Sequence, residues 1–177
     1  MPYAGSMKRF AMMLGACVVI GGCMGGDGSV VAPPAFLGSN YAGSYNGTWT
    51  NTTFSTTGAS KLTIVANDPT KTGSATWDLD GQVLGSTNPP PETFNGTFND
   101  NGFTFSGTSA TFGNFTITVN RDGTASGSAT NIPNTMISRV DFNGTATPHL
   151  IQLNYSVKFS VAGGGGTAVG TVSMTRP

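Results

Sequence analysis

The chain has 177 residues, a formal net charge of +0, and only 9% charged side chains, while glycine contributes 26 residues and phenylalanine 11. That length suits one domain with a substantial core, and an aromatic share of 10% gives far more buriable surface than a disordered chain carries. Outside Lys8 and Arg9 there is no basic cluster, so no stripe exists to neutralise phosphates, and nucleic acid is excluded as an expected partner.

Lys8 and Arg9 precede an uncharged, mostly apolar run from Phe10 to Gly22, with small residues just before Cys23. This is the order of a secretory leader. The run is shorter than the roughly 20 residues a helix needs to cross a bilayer, so export and cleavage are expected rather than a permanent span. Both cysteines of the chain, Cys17 and Cys23, fall in or beside this run. As ordinary buried thiols or a disulfide pair they would leave the basic and apolar order around them unexplained.

The stretch Ile20, Gly21, Gly22, Cys23 resembles the lipobox of bacterial lipoproteins: an aliphatic residue, two small ones, then the cysteine. The resemblance implies that Cys23 is diacylated and becomes the first residue after cleavage. Leu14 to Cys17 matches the same box but leaves only Phe10 to Ala16 as the apolar segment. Each methylene placed in a bilayer contributes about 0.8 kcal/mol, and two or more chains anchor stably. The residue after Cys23 is Met24, not the aspartate that acts in such lipoproteins as an inner-membrane retention signal. The implied location is therefore the outer membrane or cell surface, with a periplasm-facing display also open. The expected organisation is a signal peptide over 1–22, an acylated Cys23 with a Gly/Pro-rich tether over 23–40, and a β-barrel domain over 41–177. As a flexible coil the tether would span about 20 to 25 Å.

From Ser44 onward a phrase recurs at irregular spacing: Tyr45-Asn-Gly-Thr, Phe94-Asn-Gly-Thr, Phe105-Ser-Gly-Thr, Phe142-Asn-Gly-Thr. Irregular spacing argues against a solenoid or a propeller. Strands put alternate residues on opposite faces, so Tyr45, Gly47 and Trp49 share one face, as do Phe94, Gly96 and Phe98. A glycine on the inward face weakens a strand but lets it bend and lets a neighbouring ring lie across the backbone. The clearest alternation is Ile151, Leu153, Tyr155, Val157 and Phe159, all of whose intervening partners are polar. Turn signals separate such runs at Asn67, Asn99 and Arg121 and at Gly163 to Gly166, and Gly85 to Glu92 and Asn131 to Thr135 read as longer loops. The pattern predicts about nine or ten strands in an all-β fold, an antiparallel meander closed into a small barrel, with a β-sandwich as the alternative.

The segment Gly47 to Asn51, GTWTN, resembles the first strand of avidin-like and lipocalin-like barrels, and this one strand carries the resemblance. Together with the acylated cysteine and the Gly-rich tether, the layout is similar to that of surface lipoproteins of the transferrin-binding and factor H-binding kind.

Chemistry-bearing residues are sparse. Asp78, Asp80 and Gly81 start like a calcium loop, but the later ligands and closing glutamate are missing, and a strand end entering a turn accounts for them. His149 is the only histidine and follows Pro148 in an expected turn. With one histidine and no spare thiol a transition-metal site lacks ligands, and no cofactor is expected. A hydrolase would require His149 to meet a serine or a carboxylate.

Two functional expectations follow. One is a non-enzymatic, lipid-anchored barrel module in contact with an envelope or extracellular macromolecule through its Asn/Thr-rich wet face. The other is a calyx for a small apolar ligand held among Trp49, Trp77 and Tyr155, which requires an internal cavity of at least a few hundred Å³.

Overall fold

The computed structural model describes residues 34–177. Cys17, Cys23, the leader and the tether up to residue 33 lie outside the described residues. Twelve strands follow in chain order: β1 (Gly43–Asn51), β2 (Thr56–Asn67), β3 (Thr72–Leu79), β4 (Gln82–Val83), β5 (Ser86–Thr87), β6 (Glu92–Asn99), β7 (Gly102–Ser109), β8 (Gly113–Asn120), β9 (Thr124–Thr130), β10 (Ile137–Ala146), β11 (Leu150–Phe159) and β12 (Thr167–Thr175). All except β4 and β5 join one antiparallel sheet in which each strand pairs with its sequence neighbours, β3 with β6 across the small β4–β5 hairpin. The sheet closes where β1 meets β12, from Asn46 opposite Thr175 to Asn51 opposite Gly170. The expected meander is therefore a barrel and not a sandwich. Closure gives each of the ten barrel strands a partner on both sides.

The two-residue alternation sets the inside and outside as expected. Tyr45, Trp49, Phe94, Phe98, Phe142, Leu153 and Val157 are buried, while Asn46, Asn95, Asn143, Gln152 and Asn154 between them are exposed. Inward glycines make room for the rings. A Cβ on Gly96 would strike the Phe105 ring, and one on Gly170 would strike the ring and hydroxyl of Tyr155. Ten strands make a wider barrel than eight, and aromatic rings occupy the extra width: Phe94 and Phe115 lie with centroids 4.4 Å apart, and Trp77 stacks on Phe112 at 5.9 Å.

Hydroxyl pairs run across the outer wall, Thr76 with Thr93 at 2.8 Å and Thr104 with Thr118 at 2.9 Å. Asp141 bridges Arg139 and Lys158 on the same surface. A barrel that crosses a bilayer turns its apolar positions outward; this one turns them inward. No helix among the described residues is long and apolar enough to cross a membrane.

Up-and-down connectivity sends the turns alternately to the two ends. At one end a short helical turn, Gly38–Tyr41, closes the barrel. Phe36 stacks on Tyr41 at 5.6 Å and meets Phe98 and Phe103, both at 6.2 Å. Phe36 to Asn40, assigned to the tether from sequence, thus pack with the barrel, because the Phe36 ring leaves water only by stacking on Tyr41 and the rings behind it. The Ser39 hydroxyl and backbone N–H donate to the Asp68 carboxylate and hold it below its usual pKa, chiefly through the hydroxyl. The Tyr45 hydroxyl donates to the carbonyls of Tyr41, at 2.9 Å, and Pro148. At the other end sit the β1–β2 turn, the β4–β5 hairpin, the β9–β10 loop and the glycine-rich β11–β12 turn.

Candidate functional site

Large apolar groups are exposed singly at Leu37, Val65 and Val169, and three more gather at the open end. Phe54 is 58% exposed, Met136 51% and Val161 95%, and they come from three different connections at this mouth. The Phe54 ring packs edge-on against Phe159, 6.1 Å away. Phe54 and Met136, together with Leu84, Ile137, Val157 and Ala168, border a depression of about 370 Å³, to which Asn51, Gln82 and Asn134 bring amide groups. Clustered apolar groups around a concavity mark an interaction site more strongly than the same groups scattered singly.

Beneath the depression lies an inner cavity of about 70 Å³. The three residues proposed from sequence, Trp49, Trp77 and Tyr155, all line it, with Phe112, Phe142 and Val172. Alternation alone puts them on the inner face; pairing around the closed sheet brings them to one level. The Trp49 indole N–H donates to the Asp80 carbonyl at 2.7 Å. The Trp77 N–H donates to the Ser60 hydroxyl at 2.9 Å, and Ser60 donates in turn to the Met174 sulfur at 3.1 Å. Both indole donors are therefore satisfied by the wall, which leaves the cavity apolar ring faces. Tyr155 lies over Gly170. Burial pushes its hydroxyl up to about 12, against the opposing effect of the Asn51 side chain, so the phenol is a neutral donor throughout the physiological range. A second void, of about 40 Å³ among Ile64, Phe105, Leu153 and Met174, lies deeper in the barrel. Neither void approaches a ligand-sized pocket of about 300 Å³ or more. The interior is packed with rings, and the large spaces are at its surface.

The mouth is partly covered by β4 and β5. Their two-residue connection, Leu84 and Gly85, has φ of 50° and 89°, the left-handed pattern of tight hairpin loops. Glycine adopts it freely, whereas leucine is strained there. Leu84 nonetheless packs its side chain on the core, and its carbonyl accepts from the Asn134 amide at 2.8 Å. Proline-stiffened Gly85 to Glu92 was legible as a loop; that it begins with a lid was not, since leucine is the wrong residue for the turn. Phe54 and Met136 give no signal in the sequence for a related reason. Single apolar residues in turns carry no period.

Elsewhere, a shallow space of about 680 Å³ runs over the outer wall of β2, β3, β6 and β7, bordered by Asn67, Thr72, Asn95, Thr97 and Ser106. His149 is exposed in the β10–β11 turn at the closed end, and its ring makes no hydrogen bond with a described residue. Asp78 lies on β3, and Asp80 follows it with its carbonyl engaged by Trp49. Among the described residues no three His, Cys, Asp or Glu side chains gather as a metal site would require. Comparison with known proteins finds no matching family model, no matching curated protein and no matching solved structure.

Proposed function

We propose that the protein is a non-enzymatic lipoprotein of the bacterial cell envelope, anchored through lipid on Cys23 at the outer membrane or cell surface, whose barrel acts by contact with an envelope or extracellular macromolecule. The observation that carries this reading is the pairing of a ring-filled interior with a continuous Thr, Ser and Asn exterior. A barrel filled this way works through its outside. Support for anchoring at one end comes from the chain path: Pro34 lies at the closed end, where the Arg121 guanidinium donates to its carbonyl. A tether from Cys23 would join the barrel at that end. Fractionation of cells expressing the wild type and Cys23→Ser tests the anchor. The wild type is expected with membranes and the variant in the soluble fraction; identical distribution overturns the reading.

A second reading, a binding protein for a small apolar ligand, has to place its site at the mouth, since the inner voids of about 70 and 40 Å³ fall short of the cavity a calyx requires, and it is favoured by one specific observation. Trp49, Trp77 and Tyr155 line a single cavity under an apolar mouth.

A further inference from the structure

We infer that the mouth depression and the inner cavity form one binding site for a small, uncharged, mainly hydrocarbon molecule bearing a hydrogen-bonding group, entered between the β4–β5 hairpin and the β9–β10 loop. This rests on the second reading above and adds to it the entrance, the lid and the charge preference.

Continuity is the first support. Asn51, Gln82, Leu84 and Val157 border both the depression and the cavity, so a single layer of side chains separates outer space from inner. The depression, at about 370 Å³, falls within the range of roughly 300 to 1,000 Å³ typical of small-molecule sites. Leu84 is the stopper in that layer. Its backbone is held in a left-handed conformation that a leucine keeps only while its surroundings compensate. A ligand that replaced the Leu84 side chain on the core would remove that compensation, so the strain favours opening.

Chemistry supplies the ligand class. No Asp, Glu, Lys, Arg or His lines either space, and burying an unpaired charge there would be strongly unfavourable. Polar side chains are limited to the Asn51, Gln82 and Asn134 amides, the Thr56 hydroxyl and the neutral Tyr155 phenol, all of which both donate and accept. The amides sit at the level of the gate or the rim, and the rings of Trp49, Trp77 and Phe142 sit below. A hydrocarbon portion would go down and a neutral polar group would stay at the gate.

The test uses the full chain carrying Cys23→Ser, so that no acyl chain competes, and two fluorescent probes with the same ring skeleton: uncharged N-phenyl-1-naphthylamine and its 8-sulfonate. The uncharged probe is expected to bind saturably at one site per chain, and the sulfonate at least tenfold more weakly. Met136→Glu and Phe54→Glu, exposed rim positions whose substitution leaves the core intact, are each expected to weaken the uncharged probe at least tenfold. Val169→Glu, on the outer wall, is expected to leave it unchanged; thermal melts verify that all three variants fold. Saturable binding that ignores both rim variants overturns the mouth as the entrance while the second reading stands. Equal affinity for the two probes overturns the charge preference. Absence of saturable binding by the folded chain overturns this inference and the second reading together.

Discussion

The two ends of the barrel use the same residue types to opposite effect. At the closed end Phe36, Tyr41, Phe98 and Phe103 interlock, the Tyr45 hydroxyl is doubly bonded to backbone, Lys71 lies over the Phe98 ring at 5.2 Å, and the Arg176 guanidinium lies over Tyr45 at 5.7 Å. Rings there have partners on every side and cations cover their faces. At the mouth Phe54, Met136 and Val161 stand in water and the covering hairpin turns through a strained leucine. One end buries its rings, and the other leaves a phenylalanine, a methionine and a valine in water. A chain that spent its aromatic residues only on stability would have treated both ends alike.

The sharpest way to break this contrast is to truncate one ring at each end. Phe103 packs on Tyr41 and Phe105, both at 5.1 Å, and Phe103→Ala is expected to cost about 3–5 kcal/mol, as buried phenylalanines do. Phe54→Ala should stay within about 0.5 kcal/mol, as exposed changes do. Denaturant unfolding of both variants measures the difference. Equal losses would mean that the mouth is as tightly built as the plug.

Next in size is Gly170→Ala. The new Cβ would meet the Tyr155 ring and the Thr50 carbonyl across the β1–β12 seam, and neither backbone nor a packed ring moves cheaply. Overpacking of this kind typically costs about 1–3 kcal/mol. Tyr155 must tilt into the inner cavity to relieve it, so tryptophan emission from Trp49 and Trp77, which share that cavity, should shift as stability falls. A loss of stability with unchanged emission would place the strain in the seam alone.

These two substitutions also mark what could be read without coordinates. The rhythm of Tyr45, Gly47 and Trp49, or of Ile151, Leu153 and Tyr155, states which side chains face inward because the pleat leaves no choice. Glycines as seats for rings follow from the same pleat. That rhythm makes Trp49, Trp77 and Tyr155 aromatic inward residues, and they share a cavity because β1, β3 and β11 reach the same level near the mouth. That level is a property of register around a closed sheet, which pairs Asn51 with Gly170 and Gly170 with Tyr155; no local pattern encodes it. Phe36 was hidden by its Gly/Pro-rich surroundings, which read as a tether until a cage of rings received it. The β4–β5 hairpin was hidden because its turn breaks the residue preference that would announce it.

Alkaline pH separates the mouth tyrosine from the rest. Burial raises Tyr155 from 10.0 to about 12, so between those values the unfolded chain has lost the proton that the folded chain retains. Stability is then fully present below pH 10 and falls as pH rises toward about 12, because the folded state binds more protons. Tyr41 and Tyr45 are raised too, both chiefly by burial, and contribute the same sign. Tyr155→Phe should therefore flatten part of the alkaline decline, and a residual slope from the closed-end pair should remain. Unfolding midpoints from pH 8 upward read this directly; an unchanged slope would show that Tyr155 is wetter than its position over Gly170 implies.

The smallest expected effect concerns backbone at the mouth. Ser55, in the β1–β2 turn, is exposed and has φ of 53°. An L-residue with a Cβ is disfavoured there, by roughly 1–2 kcal/mol at most, whereas glycine occupies this region freely but gives back part of the gain through a more flexible unfolded chain. Ser55→Gly should therefore stabilise by a few tenths to about 1 kcal/mol. Because Ser55 adjoins Phe54, which packs on Phe159 across the rim, the substitution also asks whether that rim is preset. If Ser55→Gly raises stability and leaves uncharged-probe affinity unchanged, the strain is local to the turn. If affinity falls while stability rises, the serine's left-handed backbone holds Phe54 where a ligand meets it, and the mouth is pre-organised at a cost that the closed end never incurs.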